Sequence, residues 1–107
     1  MPCLSVKIVR FVDESFPGFV ECEFIDANQR KHTLVDKVPT FSALTLWNDS
    51  EYPQPGVAFC QVLEDINDGS DRELVRITIA KPYGMETVDG ETEFVVEKSQ
   101  ITEDSSR

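Results

Sequence analysis

Residues 19–25 read FVECEFI, and their side chains alternate strictly: Val20, Cys22 and Phe24 project to one side and Glu21 and Glu23 to the other. A period of two is the signature of a strand with one buried and one solvated face. Similar short runs recur along the chain: SVKIVRFV, KHTLVDKV, GVAFCQVLED, ELVRITIAK and TEFVVEKSQI, each bounded by turn-forming residues. Six such strands predict an all-β fold, a small, mostly antiparallel barrel or sandwich. Only TFSALTLWND has a helical look, with Thr40 or Ser42 as N-cap and a stop before YPQPG. A short helix or turn is expected near residues 41–49, covering an open end of the sheet. With 107 residues the chain suits one domain with a single modest core. The expected organisation is a β-rich domain over 1–101 and a polar, flexible C-terminal tail over 102–107.

The stretch LEDINDGSDRE, residues 63–73, resembles the start of a calcium loop. Such a loop needs oxygen ligands at its first, third, fifth and twelfth positions and glycine at the sixth. Setting Gly69 at the sixth puts Ile66 at the third and Val75 at the twelfth, and neither can ligate. A weaker surface cluster of Asp65, Asp68 and Asp71 has the right ligand type and nothing further. Read as a hairpin with Asp68-Gly69 as a two-residue turn, the same stretch sets Ala58 opposite Ile79, Cys60 opposite Ile77 and Val62 opposite Val75. Asp65 then meets Arg72 and Gln61 meets Arg76, with one like-charge pair, Glu64 against Glu73. The turn reading is the better one.

Charge excludes several classes of function. Twenty acids against ten Lys and Arg give a net charge of −10. Nucleic-acid and anionic membrane partners are disfavoured, since both are recognised by cationic side chains. A basic protein partner would be attracted and its association accelerated. The start, MPCLSVKIVRF, lacks the basic and apolar regions of a secretion signal. No run approaches the ~20 apolar residues of a membrane span. Three cysteines, Cys3, Cys22 and Cys60, are an odd number and widely spaced. Free thiols in a reducing cytoplasm account for them.

Catalytic signatures are absent. The sole histidine, His32, could face Cys22 across a hairpin, but Cys22 belongs to the apolar set of its strand. The three cysteines with His32 match a zinc site in composition but not in spacing. The carboxylate pairs Asp13 with Glu14, Glu21 with Glu23, and Glu91 with Glu93 lie on solvated faces, where neither pKa is raised for acid–base work. No metal and no cofactor are expected.

Two loops are poorly explained by folding alone. LWNDSEYPQPG carries the one Trp, Trp47, with Asp49, Glu51 and Tyr52 amid prolines. AKPYGMETVDG carries Tyr83, Met85 and Glu86. Trp47 either plugs the end of the sheet or faces a partner. The hairpin pairing brings both loops to one end of the molecule. The expected function is therefore a small, acidic, non-catalytic binding module acting on a protein partner, inhibitor-like or immunity-like toward a basic protein. The alternative is a small-ligand-binding barrel or small enzyme with a pocket near Trp47, Tyr52 and Tyr83.

Overall fold

The computed structural model describes residues 1–67 and 69–103. Among the described residues eight strands are present: β1 (Pro2–Asp13), β2 (Phe19–Ile25), β3 (Lys31–Lys37), β4 (Gln54–Phe59), β5 (Gln61–Ile66), β6 (Leu74–Thr78), β7 (Glu93–Glu97) and β8 (Ile101–Glu103). A single helical turn, α1 (Val38–Phe41), follows β3, and a 3₁₀ turn at Lys98–Gln100 precedes β8. One sheet runs β3-β2-β1-β4 with β8 also paired to β1; the other runs β5-β6-β7. Every pairing is antiparallel, and neither sheet closes on itself. Leu4, Val6, Ile8, Val20, Cys22, Phe24 and Leu34 from the first sheet meet Val75, Ile77, Phe94 and Val96 from the second in one core. No helix among the described residues is long and apolar enough to cross a membrane.

Six expected strands become eight because two runs are divided. GVAFCQVLED breaks at Cys60, whose amide donates to the Pro2 carbonyl at 3.1 Å. Before it, β4 pairs with β1, Ala58 opposite Leu4; after it, β5 pairs with β6. Cys60 thus hands the chain from one sheet to the other. TEFVVEKSQI breaks at the 3₁₀ turn for the same purpose, so that Ile101–Glu103 returns to β1. Thr102 and Glu103, which were expected to open the flexible tail, lie in β8 opposite Cys3 and Pro2.

The β5–β6 hairpin forms, but in a different register from the one expected. Val62 opposes Ile77 and Ile66 opposes Leu74, with a shift between Val62 and Glu64. The chain between the last paired residues, 67–73, is odd in length, and Asp68 of the expected two-residue turn lies outside the described residues. None of the pairs 58/79, 60/77 and 62/75 exists. The shift replaces the Glu64–Glu73 clash with an attraction. Glu64 now opposes Arg76, whose guanidinium reaches Glu64 at 2.5 Å and Glu93 of β7 at 2.7 Å, spanning three strands.

Of the short helix or turn expected near residues 41–49, the helical turn lies at its near end, Val38–Phe41, and a turn follows at 48–49. Pro39 suits the first turn, where a missing N–H and a fixed φ are harmless. Ser42 then returns to extended backbone and stops it. Phe41 is buried against β4 at Gly56, where a Cβ would stand 3.1 Å from the Phe41 carbonyl oxygen and 2.8 Å from Ile8 Cδ1.

The burial of the hairpin is asymmetric, and substitutions should show it. Ile77 is fully buried, whereas Val62 on the outer strand is 39% exposed. Ile77→Ala should cost about 2–5 kcal/mol through lost burial and a cavity. Val62→Ala should cost below about 1 kcal/mol. Urea denaturation of the two variants checks the contrast, and equal losses would contradict this placement of the hairpin.

Candidate functional site

An apolar groove of about 560 Å³ lies between the β1–β2 loop and the segment that follows α1. Phe11, Gly18, Val38 and Leu46 line its depth. Gly18 has φ +92°, and a Cβ there would stand 2.8 Å from the Phe11 ring, so only glycine leaves that ring its room at the base. Three large apolar side chains rise around the groove while facing solvent: Phe16 at 97% exposure, Leu44 at 63% and Trp47 at 62%. Scattered apolar residues are ordinary on a protein surface, but three gathered around one recess make this the candidate site.

The backbone that carries the exposed indole is held in place from behind. The Trp47 amide donates to Ser50 Oγ at 2.9 Å, and its carbonyl accepts from the Ser50 amide at 3.2 Å and from Tyr52 Oη at 2.6 Å. Asn48 Nδ2 donates to Glu14 Oε1 at 2.8 Å, tying the two walls of the groove together. A loop so fixed loses little conformational freedom when something binds to it.

The residues singled out in the sequence are placed unevenly. Trp47 faces solvent and plugs nothing, and Asp49 and Glu51 are exposed beside it. Tyr52 is half-buried against the core, where its hydroxyl serves as a strut for Trp47. Met85 is buried in the core, while Glu86 next to it is exposed. Tyr83 is exposed and packs edge-to-face on Phe59, ring centroids 5.6 Å apart. Tyr83 and Phe59 line a second recess of about 410 Å³, and Pro39 of α1 lines both recesses. Phe16 and Leu44 were not anticipated; for Phe16 the available signal was an aromatic in ESFPG, a turn-like stretch between β1 and β2.

The groups considered for catalysis are committed elsewhere. His32 opposes Phe24 and Cys22 opposes Leu34, so no Cys–His contact forms. Burial first, and the neighbouring Glu21 second, push the Cys22 thiol up to about 12. Burial likewise drives Cys60 to about 11, helped by Cys3 and Glu103. All three cysteines are buried and outside any disulfide. His32 Nε2 lies 2.8 Å from Asp26 Oδ2 and Nδ1 lies 3.2 Å from Glu91 Oε2, with Phe24 and Phe94 packed on the ring. Both ring nitrogens are occupied and the side chain is buried. Glu21 pairs with Arg10, and Glu23 with Lys7 and Lys31, on the outer face of the sheet. Glu91 and Glu93 diverge, one to His32 and one to Arg76. Among the described residues no cluster has the composition and geometry to hold a metal ion; Asp68 of the aspartate cluster lies outside them.

Asp26 carries the pH dependence of this cluster. Burial alone would raise its carboxyl, but hydrogen bonds from His32 and from the amides of Arg30 and Asn28 outweigh it and hold the group below its ordinary 3.8. A folded-state value below the unfolded one gives stability that is complete above about pH 4 and is lost as pH falls through the folded value. Asp26→Asn should flatten that acid limb of the melting-temperature profile and cost about 1–3 kcal/mol at neutral pH. An acid limb unchanged in the variant would assign it to other carboxylates. Thiol reagents supply a second check: at pH 8, reaction of Cys22 and Cys60 should require unfolding. Comparisons with protein-family models, curated proteins and solved structures find no match.

Proposed function

We propose that this chain is a non-catalytic binding module that captures a protein partner in the groove flanked by Phe16, Leu44 and Trp47. The observation that carries the reading is the gathering of these three exposed side chains around one apolar recess, on a backbone already fixed by Ser50 and Tyr52. Binding energy concentrates in a few aromatic anchors that become desolvated, and a preset loop keeps the ordering cost small. The net charge of −10, with Asp49 and Glu51 exposed beside Trp47 and in no ion pair among the described residues, favours a basic partner. An inhibitor-like or immunity-like role against a basic protein fits size and charge. Three buried cysteines outside any disulfide fit a reducing cytoplasm. The second reading, a small apolar ligand, is favoured by the groove volume alone.

Selection of a displayed library of protein domains and fragments on the immobilised protein tests the proposal. Binders should carry a bulky apolar anchor flanked by Lys or Arg. Trp47→Ala should weaken them about 30-fold, mainly through a faster off-rate. Glu51→Lys should slow association and flatten its salt dependence. Recovering no binder, or binders indifferent to both Trp47→Ala and Phe16→Ala, would sink the reading. Saturable binding of small apolar probes without any protein binder would favour the second.

A further inference from the structure

We propose that the recess beside the groove is a subsite for a Lys or Arg side chain of the bound partner, an inference that rests on the groove reading only for what delivers that side chain. Asp36, Pro39, Thr40, Phe59, Tyr83 and Met85 line it. Because Pro39 lines the groove as well, a chain lying in the groove reaches this recess by crossing one residue of α1.

Asp36 is the anomaly that points to a cation. Strand alternation sets it on the same face of β3 as His32 and Leu34, both buried, so a carboxylate occupies a position the pattern assigns to the core side. It is half-buried, and its one hydrogen bond among the described residues is from the amide of Lys37, at 2.7 Å. No Lys, Arg or His among the described residues pairs with it. The acids of β2 are treated differently, since Glu21 and Glu23 both have cationic neighbours. A partly desolvated carboxylate without a cation is unfavourable, and fold alone gives no reason to keep one there.

The other walls match the rest of such a side chain. Tyr83, 64% exposed, stands edge-on to Phe59 at an interplanar angle of 77°, so ring surface borders the recess. A cation is attracted to an aromatic face and to a carboxylate, while its methylene stem packs on apolar surface such as Pro39 and Met85. A neutral apolar side chain would bury Asp36 without compensation, and an acidic one would be repelled.

The test uses single-residue probes and the intact protein. Nα-acetyl-lysine-N-methylamide is titrated by amide chemical-shift mapping into the tens of millimolar, where weak contacts of this kind register. The Nε-acetylated form of the same molecule is the neutral control. The charged probe should shift the amides around Asp36, Phe59 and Tyr83 and bind about fivefold more tightly than the control. Asp36→Asn, close to isosteric and checked for folding in the same spectra, should abolish that preference, while Trp47→Ala should leave it intact. Equal affinity for the two probes, or no shift at these residues, would overturn the subsite. Because Trp47 is not needed for this readout, failure of the groove reading and failure of the subsite give different results.

Discussion

Strand β1 pairs with three other strands, and the rest of the structure depends on it. Its one edge is shared by β8, along Pro2–Leu4, and β2, along Lys7–Asp13; the other edge is taken by β4. Its first half supplies Leu4, Val6 and Ile8 to the core. A regular strand would next turn Arg10 inward and Phe11 outward. A bulge at Val9 prevents this, because Ile8 opposes Cys22 while Arg10 already opposes Glu21. The extra residue reverses the parity. Arg10 comes to the outer face, where it binds Glu21 at 2.8 Å, and Phe11 comes to the inner face, where it extends the core into the floor of the groove. One inserted residue therefore lets a single strand build both the core and the floor of the groove.

How much of this could be read in the sequence follows from which interactions are local. The alternation of FVECEFI is a local pattern, and β2 buries Val20, Cys22 and Phe24 with both acids on the other face. The handover at Cys60 is not local. Ala58, Cys60 and Val62 keep one apolar parity straight through it, so nothing in the run marks where the chain leaves one sheet for another. The hairpin register depended on a shift between Val62 and Glu64, which only the bridging of Glu64 and Glu93 by Arg76 makes sensible. Trp47 was legible as an aromatic in a proline-marked loop. Tyr52 and Met85 looked alike in sequence but pack inward, because burial of a loop residue is decided by distant strands. Asp36 becomes conspicuous only once β3 has a known inner face.

The acids are not equivalent once they are placed. Glu21, Glu23, Glu64 and Glu93 each lie against Lys or Arg on the outer faces of the sheets, so much of their field is cancelled close by. Asp36, Asp49 and Glu51, around the groove and its neighbouring recess, have no cation within ion-pair distance among the described residues. Negative charge without a nearby counter-ion thus borders the displayed apolar side chains, as it also does the β5–β6 tip at Asp65, Asp71 and Glu73. Opposite charge around an apolar centre speeds encounter and selects register, while the anchors set how long a complex lasts.

Rigidity links the two recesses. The loop that carries Tyr83 is long and irregular, yet it is anchored repeatedly: Met85 N–H donates to the Ile79 carbonyl, Val88 N–H to the Thr33 carbonyl at the edge of β3, and Glu91 reaches buried His32. His32 in turn contacts Asp26, whose Oδ1 accepts from the amides of Asn28 and Arg30 and so shapes the β2–β3 turn. The buried cluster therefore fastens the Tyr83 loop to the same β2–β3 frame from which Asp36 projects. Ser50, Tyr52 and the Asn48–Glu14 bond do the corresponding work for Trp47. Polar groups that would be costly if left unpaired are used here to hold two irregular loops at fixed positions. That accounts for a domain whose regular strands are ordinary in composition and whose unusual residues are concentrated in the loops.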